Sequence, residues 1–486
     1  MSSNPDFGNG HGIDIDDAGV AQLAALIRRG ELGVVELVEN RLADLERRGA
    51  RTNAFASVNH EQALAQAREA DIALTRGASV GPLHGVPIAV KDNVLTPGFG
   101  SSAASGVLAG APLQGDAPLV AQLRAAGAIV VAKTNMHEWA YGATNTSSHH
   151  GPTRNPWDLR AITGGSSGGS AACVAEGLLP MAVGTDTGGS IRIPSAACGI
   201  SGIKPGTGRV NGEGVLPLAW SFDAAGPMAR SAEDLWVGLD AMLPAAAGAS
   251  ARHAAQFRAA RAQARVRIGV LVGEGFETAR DVGHAFDEAL QVFRQRGATL
   301  VPVPVRGMGA VFAAWKAIMY AEASTFHRQF IGAAAERYTP EVRALLHAGE
   351  SVSAVDYLAA QQFRAAFGES FAREMAGLAA LALPTLPVTA PPLAESQVEF
   401  AGRTTTTQDA MTAMPCLANF TGLPAVSVPS GQGDSGLPVG LTLMGHPGGE
   451  FALLGLAAAY QDDSTWHAMR PKRYGAVATG EAAHVR

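Results

Sequence analysis

The N-terminal part of the chain carries hydrophobic residues at helical spacing. Apolar positions three and four residues apart predict three helices there, at residues 20–27, 34–45 and 61–74. Asp16 or Asp17 is the expected cap of the first helix. The pattern then changes to a continuous apolar run at residues 85–90, which predicts a buried strand ending at Lys91. We therefore expect a polar tail to about residue 13 and an N-terminal helical layer within residues 1–75.

The remainder of the chain alternates between short apolar runs and helical patterns. The pattern predicts strands at residues 128–132, 181–183, 266–272, 299–305, 378–383, 425–428 and 439–444. It predicts helices at residues 119–126, 171–178, 232–242, 282–294, 309–330, 353–376, 409–420 and 453–460. Such alternation predicts an α/β fold with a large mixed sheet flanked by helices. We find no internal repeat, and we expect a single domain over residues 1–486 with a helical insertion at about 306–376.

Composition narrows the class of protein. Hydrophobic residues make up 47% and charged residues 16% of the chain, which is typical of a globular protein. A net charge of −6 without a basic run disfavours nucleic-acid binding, and no apolar segment has the character of a membrane span or a signal peptide. Three cysteines, Cys173, Cys198 and Cys416, suit a reducing compartment and apolar core positions. We expect a soluble, cytoplasmic protein that binds neither nucleic acid nor membrane.

Two glycine- and serine-rich clusters lie within residues 163–195. Ser166 and Ser190 each follow a Gly-Gly pair, so the backbone before each hydroxyl can adopt conformations that other residues rarely reach. The second cluster follows the strand predicted at 181–183 and is expected to open a helix, whose free N–H groups can bind a developing negative charge. These two serines are the first candidates for chemistry.

Several short motifs in this region are typical of other enzymes. Residues 164–168 satisfy the Gly-x-Ser-x-Gly elbow of α/β-hydrolases, with Ser166 or Ser167 as nucleophile, but proline and charged residues precede it where a strand is needed. No lysine follows the glycines in the position of a phosphate-binding loop. Residues 201–204 fit the Ser-x-x-Lys pattern of β-lactamases, but Ser-Asp-Asn is absent. No His or Cys spacing indicates zinc. Taken alone, Lys91 also fits a solvated strand end, and each glycine cluster fits an ordinary loop.

Three longer blocks nevertheless resemble those of the amidase signature family. They are VPIAVKDN around Lys91, GGSSGGSA around Ser166 and GTDTGGSIRIPSAACGISGIKP around Ser190, and the three residues are 75 and 24 positions apart, as in that family. The strong similarity covers residues 83–214, and the segments PTRNPWD and NFTGLPAVSVPSG extend it along the chain. The resemblance implies the amidase signature fold.

The resemblance also implies a serine, cis-serine, lysine triad that works without metal or organic cofactor. Ser190 would become acylated, Ser166 would follow a cis peptide bond and relay the proton, and Lys91 would be the base. Burial of Lys91 would lower its pKa and so favour the neutral amine. The N–H groups expected to stabilise the oxyanion are those of Thr187, Gly188, Gly189 and Ser190. Supporting roles are implied for Ser167, within the triad, and for Asp186 paired with Arg192, although that pair also fits an ordinary surface ion pair.

The substrate is expected to be a small carboxylic amide that yields an acid and ammonia or an amine. Glutaminase relatives hold glutamine with charged groups near a C-terminal helix, whereas here residues 403–414 are rich in threonine and keep Asp409 at an uncertain register. Trp139, Ala140 and Tyr141 occupy the loop that lines the acyl pocket in relatives. We therefore expect a neutral, apolar or aryl amide, with ester or carbamate hydrolysis also open. The alternative is a glutaminase that delivers ammonia within an amidotransferase complex.

Other aromatic and histidine residues are expected to have structural roles. Trp315, Met319 and Tyr320 are predicted to pack in the core, and His149 and His150 to lie in a solvated loop. A homodimer is left open as the oligomeric state.

Overall fold

The computed structural model describes residues 15–472. The polar tail predicted up to about residue 13 lies outside the described residues. The described helices are α1 (Val20–Arg28), α2 (Val34–Thr52), α3 (His60–Thr75), α4 (Pro118–Ala125), α5 (Gly168–Ala175), α6 (Arg192–Cys198), α7 (Ala232–Met242), α8 (Ala249–Ala262), α9 (Arg280–Gln295), α10 (Met308–Ala334), α11 (Pro340–Glu350), α12 (Ala354–Glu374), α13 (Thr407–Ala413), α14 (Cys416–Phe420) and α15 (Glu450–Asp462).

The strands form one large sheet and one small hairpin. They are β1 (Phe55–Val58), β2 (Pro87–Lys91), β3 (Ile129–Thr134), β4 (Met181–Asp186), β5 (Ser201–Lys204), β6 (Ala224–Ala229), β7 (Arg267–Val272), β8 (Thr299–Pro304), β9 (Ala380–Pro384), β10 (Gln397–Phe400), β11 (Arg403–Thr406), β12 (Ala425–Gln432) and β13 (Pro438–Met444). The large sheet has the order β1-β3-β2-β4-β6-β5-β12-β13-β9-β7-β8, and β10 pairs with β11.

The sheet is mixed, with parallel pairs toward both ends, antiparallel strands in its middle, and β1 antiparallel to β3 at one edge. β2 runs parallel to both β3 and β4, and β7 runs parallel to β8 and β9. Every residue of β2, β3 and β4 is buried, because helices and loops cover both faces of this part of the sheet. The continuous apolar runs that predicted these strands reflect this double burial.

The two largest hydrophobic cores of the described residues lie against the sheet. The larger core contains the buried stripe of α2, which includes Val34, Leu37 and Leu45, and it extends through α1, α7 and α15. The second core is built from α10, α11 and α12 together with loops and strand residues near the cavity described below. The α/β fold with its large mixed sheet is therefore confirmed, whereas the single-domain organisation stays a prediction.

The helix ends differ from the sequence prediction in two places. Gly19, and not Asp16 or Asp17, precedes the first turn of α1, and its N–H donates to Gln22 Oε1 at 3.0 Å. Asp16 accepts instead from Arg41 of α2 at 2.7 Å. The single helix predicted at 409–420 is two short helices, α13 and α14, with Pro415 immediately before the second.

Candidate active site

Lys91 is the last residue of β2, and its side chain is fully buried. Because β2 and β4 are parallel, Lys91 lies at the same sheet edge as Asp186, the last residue of β4. Its Nζ donates to Ser166 Oγ at 2.8 Å and to Thr185 Oγ1 at 2.7 Å. Both side-chain partners are hydroxyls, so neither holds the ammonium form as a carboxylate would.

Burial lowers the pKa of Lys91 to about 7, although the negative charges of Asp186 and Asp223 act to raise it. A lysine in water is protonated until far above neutral pH. Here a substantial fraction of Lys91 is the neutral amine near pH 7, and only this form can accept a proton.

Ser166 is fully buried in the turn before α5. The peptide bond between Gly165 and Ser166 is cis, as the resemblance implied. The carbonyl of Ser166 accepts from the N–H of His137 at 3.1 Å. The hydroxyl of Ser166 accepts the hydrogen bond from Lys91 Nζ.

Ser190 lies in the oxyanion loop, which we define as residues 187–190 between β4 and α6. Its side chain is almost buried and lines the main cavity of the site. Within the described residues no hydrogen bond joins the hydroxyls of Ser190 and Ser166. Catalytic hydrogen bonds often tighten only in the substrate complex.

Ser167 contacts the triad through its backbone. Its N–H donates to the carbonyl of Ser190 at 3.2 Å. Its hydroxyl instead bonds the main chain of Thr185: it donates to the carbonyl at 3.2 Å and accepts from the N–H at 3.3 Å. Ser167 therefore links the segments that carry Ser166 and Ser190 to β4. Its hydroxyl makes no hydrogen bond to the hydroxyl of Ser166 or Ser190.

Asp186 and Arg192 form a buried ion pair that shapes the oxyanion loop. Arg192 Nη2 donates to Asp186 Oδ1 at 3.0 Å, and both side chains are almost fully buried. The same carboxylate accepts the N–H groups of Gly189 at 2.8 Å and Ile191 at 3.1 Å. Burial alone would raise the pKa of Asp186, but the charge and hydrogen bonds of Arg192 lower it to about 2. Asp186 is therefore ionised at neutral pH.

This pairing changes the set of N–H groups available for an oxyanion. Gly189 was expected to contribute, but its N–H is already bonded to Asp186. Among the described residues, the N–H groups of Thr187, Gly188 and Ser190 have no acceptor within the protein. These three are the donors left for a developing charge.

A cavity of about 460 Å³ opens beside Ser190. Its lining residues are Ala140, Tyr141, Gly142, Ala143, Gly188, Ser190, Leu218, Trp315, Lys316, Met319, Tyr320, Glu341, Ala344, Leu345, Thr406, Gln408, Asp409 and Thr412. Two charged groups in this wall pair with each other, as Lys316 Nζ lies 2.6 Å from Asp409 Oδ1. A third charged residue of the wall, Glu341, accepts from Ser147 Oγ and Gln408 Nε2. The rest of the wall is largely aromatic and aliphatic.

The cavity corrects two sequence predictions. Ala140 and Tyr141 line it as expected, but Trp139 is buried in the core against Phe326 and Phe330 and is not part of the wall. Trp139 and Ala140 both have positive φ values. Trp315 and Met319 are buried in the second core and Tyr320 packs against it, as predicted, but all three also line the cavity.

Three polar residues of the site were not identified from the sequence. Thr185 Oγ1 accepts from Lys91 and also from Asn93 Nδ2 at 3.2 Å, so both side chains help to position the amine. Asn419 of α14 donates to Asp186 Oδ1 at 2.9 Å and accepts from Arg192 Nη2 at 2.8 Å. All three lie within the resembling segments, and buried polar side chains next to the triad are the signal that could have indicated them.

Other chemistries have less support among the described residues. The three cysteines are buried, and burial raises the pKa of each thiol, to about 12 for Cys416. In the described part of the chain no group of three or more His, Cys, Asp or Glu residues is arranged to hold a metal ion. No described helix combines the length and apolar character needed to cross a bilayer.

Comparison with known proteins decides the family. A family model described as Amidase matches residues 36–454. The chain belongs to the amidase signature family. It is an amidase that acts on linear amide C–N bonds, and the serine triad is characteristic of this family.

Several relatives cover nearly the whole amidase. The A subunit of glutamyl-tRNA(Gln) amidotransferase from Thioalkalivibrio sulfidiphilus is 37% identical, with 94% of this chain and 99% of the relative covered. A solved chain from a vestigial protein complex linked to the origins of an s-triazine catabolic enzyme has 31% identity and a TM-score of 0.87, covering 94% and 100% of the two chains. Native peptide amidase from Stenotrophomonas maltophilia has 31% identity and a TM-score of 0.79, covering 94% and 99%.

Proposed function

We propose that this amidase hydrolyses its substrate through an acyl-enzyme on Ser190, with Ser166 and Lys91 relaying the proton. The supporting observation is the buried Lys91 amine, which lies 2.8 Å from Ser166 Oγ and has its pKa lowered by burial to about 7. A base that is neutral near pH 7 can take a proton through a hydroxyl at that distance.

Acylation then follows as a balanced proton relay. Ser190 Oγ bonds to the substrate carbonyl carbon, its proton moves to Ser166 Oγ, and the Ser166 proton moves to Lys91 Nζ. The carbonyl π electrons move onto oxygen and form the oxyanion. When the C–N bond breaks, the relay returns the proton to the leaving nitrogen. Water repeats the same steps in the second half and releases the acid.

The oxyanion is assigned to the free N–H groups of the oxyanion loop. Thr187, Gly188 and Ser190 supply these donors, while Gly189 is committed to Asp186. Loss of one oxyanion donor in a serine hydrolase typically lowers the rate by about 10²–10³-fold. Geometry of this loop is therefore expected to control turnover.

For the substrate, we propose glutamine as the first candidate, with ammonia delivered to a partner protein. The relative from T. sulfidiphilus belongs to a glutamyl-tRNA(Gln) amidotransferase, and this similarity favours the glutaminase alternative over the neutral amide expected from the sequence. The paired Lys316 and Asp409 in the cavity wall offer one positive and one negative group. These charges match the α-carboxylate and α-ammonium of glutamine.

A neutral apolar or aryl amide is the second candidate. The cavity wall that includes Tyr141, Leu218, Trp315 and Met319 is apolar or aromatic and suits an uncharged acyl or amine group. The peptide amidase of similar fold is consistent with a substrate larger than glutamine.

Labelling by a fluorophosphonate tests the mechanism. We expect the wild-type protein to carry the adduct on Ser190, located by peptide mass spectrometry, and Ser190→Ala to lose both the adduct and turnover of every amide. Cys198→Ala is a matched control, since Cys198 is buried away from the cavity. If the wild type is not labelled, or if Ser190→Ala still hydrolyses amides, the proposed role of Ser190 as nucleophile is contradicted.

A substrate panel tests the two candidates. Glutamine, butyramide, an anilide and a carbamate are compared by kcat/KM in one assay, with wild type, Lys316→Met and Asp409→Asn. If glutamine is the substrate, both variants raise KM for glutamine because each leaves one charge of the bound zwitterion unpaired. If the substrate is a neutral amide, we expect turnover of the anilide, and neither variant should change its kcat/KM. Glutamine turnover insensitive to both variants would contradict the assigned recognition pair.

A further inference from the structure

Thr187, the first residue of the oxyanion loop, is bonded on two sides. Its hydroxyl donates to Asp223 Oδ1, a residue of the segment before β6. Its carbonyl accepts from Trp315 Nε1 of α10 at 3.1 Å. The Thr187 side chain is almost fully buried. Two separate elements therefore determine where this residue lies.

The Trp315 bond also fixes the direction of the next N–H. Gly165–Ser166 is the cis peptide in the described chain, so the Thr187–Gly188 peptide is trans. In a trans peptide the carbonyl and the N–H point in opposite directions. The Thr187 carbonyl points at Trp315, and the Gly188 N–H therefore points away from it. Any rotation of this peptide would turn an oxyanion donor out of place.

Asp223 is itself firmly held. Its carboxylate accepts the N–H of Leu218 at 3.0 Å and the N–H of Ala219 at 3.2 Å. The turn that holds Asp223 also carries Leu218 into the cavity wall. Asp223 thus joins the oxyanion loop to the turn whose Leu218 lines the cavity.

We propose that Asp223 is a positioning residue for the oxyanion loop and acts through the Thr187 hydroxyl. The proposal rests on the proposed acyl-enzyme at Ser190. Asp223 does not contact the reacting atoms; it holds Thr187 so that the peptide linking Thr187 to Gly188 is aligned before charge develops. Preorganised donors of this kind lower the barrier because they need no reorientation during reaction.

A second route by which Asp223 could act is through its charge. When ionised, Asp223 acts to raise the pKa of Lys91, while burial raises the pKa of Asp223 itself to about 7. Thr187→Val removes the hydroxyl that binds Asp223 and keeps the carboxyl group and its backbone bonds in place. Because that hydroxyl also lowers the pKa of Asp223, the pH profile separates the two routes: a loss of kcat without a shift of the acid limb indicates positioning. Thr187→Ser keeps the hydroxyl and is the matched conservative variant.

The experiment compares wild type, Thr187→Val, Thr187→Ser, Asp223→Asn and the double variant Thr187→Val/Asp223→Asn. In Asp223→Asn, either orientation of the amide places an NH₂ group where an oxygen accepts a backbone N–H. Measurements are kcat and KM with the panel amide of highest kcat/KM, and the inhibition constant of phenylboronic acid, which forms a tetrahedral adduct with serine. Thermal melting checks that each variant is folded.

We expect Thr187→Val and Asp223→Asn each to lower kcat by up to about 10²-fold, below the full loss of an oxyanion donor. KM should stay near the wild-type value, and the inhibition constant of phenylboronic acid should rise in parallel with the loss in kcat. Thr187→Ser should retain most activity. The double variant should be no slower than the slower single variant, because Asp223 acts through the Thr187 hydroxyl that Thr187→Val already removes.

The outcomes separate this proposal from the function on which it rests. A wild type that fluorophosphonate does not label on Ser190 would remove the acyl-enzyme itself. A labelled, active wild type with an unaffected Thr187→Val, or with additive losses in the double variant, would overturn only the role of Asp223. If Thr187→Val does not fold, an inactive but folded Thr187→Ser or an unimpaired Asp223→Asn would likewise overturn it.

Discussion

Lys91 combines complete burial with partners that carry no formal charge. Its amine contacts the hydroxyls of Ser166 and Thr185, and the nearest opposing influences are the charges of Asp186 and Asp223. Burial outweighs these charges and lowers the pKa to about 7. The residue is therefore balanced between its two protonation states at the pH of most cells, which is the property that a general base needs.

The pH dependence of catalysis should follow from this balance. Below pH 7 Lys91 is protonated and cannot accept the serine proton, so kcat/KM for an amide should fall as the pH decreases through about 7. Lys91→Ala should lower amide turnover by about 10²–10⁴-fold and abolish this acid limb. Activated esters need less help from a base and should be affected less. The measurement is kcat/KM against pH for both substrates.

Lys204 supplies the matched control for this profile. It is also fully buried, and burial lowers its pKa to about 7 as well, but its amine donates to the Pro205 carbonyl. Lys204→Met should therefore keep the acid limb at the same pH. An acid limb that persists in Lys91→Ala, or that disappears in Lys204→Met, would assign the titration to another group.

The sequence identified the candidate reactive residues, but it did not identify the residues that surround them. Lys91, Ser166 and Ser190 lie in long blocks whose spacing is specific, and the structure brings all three to one edge of the sheet. Thr185 lies in the same block as Ser190, but its contact with Lys91 depends on the parallel pairing of β2 with β4. The sequence of neither strand determines how β2 and β4 align with each other, because they are far apart in the chain. The contact could therefore not be predicted.

At the scale of elements, apolar runs predicted the buried strands well and the less regular elements poorly. β2, β3 and β4 are uniformly buried and were predicted within a few residues. β6 has the sequence AAGPMA, whose glycine and proline obscured a strand that is buried over most of its length. α8 was missed because Phe257 is its one buried residue, which leaves no apolar stripe to detect.

The contact between α10 and the oxyanion loop gives a prediction at the same scale. Gly188 packs so closely on this helix that an added Cβ would lie 2.2 Å from Trp315 Cζ2. Gly188→Ala must therefore displace the loop or the indole, and a displacement near 1 Å can lower the rate by about 10²-fold. We expect a loss of kcat/KM with the fold retained, measured by kinetics together with circular dichroism.

Gly309, near the start of α10, is the control for that substitution. Apart from the backbone of the helix itself, no atom lies within 4 Å of the position that an added Cβ would take. Gly309→Ala should therefore leave kinetics unchanged and stabilise the helix by about 0.5–1 kcal/mol. Equal losses in the two alanine variants would show that the effect does not come from the contact with Trp315. Wild-type kinetics in Gly188→Ala would show that the loop tolerates the displacement.

At the scale of the whole molecule, the fold gathers the site from distant parts of the chain. Arg192 of α6 donates to the Pro415 carbonyl at 2.8 Å and to Asn419 Oδ1 at 2.8 Å, across 223 and 227 positions of sequence. The antiparallel pairing of β5 with β12 brings the C-terminal segment beside the second serine cluster. The resemblance at NFTGLPAVSVPSG indicated that this segment belongs to the family pattern. The sequence could not indicate that its asparagine, Asn419, hydrogen-bonds both members of the buried ion pair.

Stability should depend strongly on this junction. Arg192→Met would leave Asp186 buried without its charged partner, and removal of one member of a buried pair typically costs about 3–5 kcal/mol. The exposed pair of Arg160 and Asp158 is the control, since the Arg160 side chain is 87% exposed and Arg160→Met should change the free energy of unfolding by less than about 1 kcal/mol. Urea unfolding followed by fluorescence measures both. Because Arg192 joins α6 to the C-terminal segment, Arg192→Met should also make that segment more susceptible to limited proteolysis. If the variant is as stable and as resistant to protease as wild type, Asn419 and the backbone N–H groups alone hold the Asp186 carboxylate.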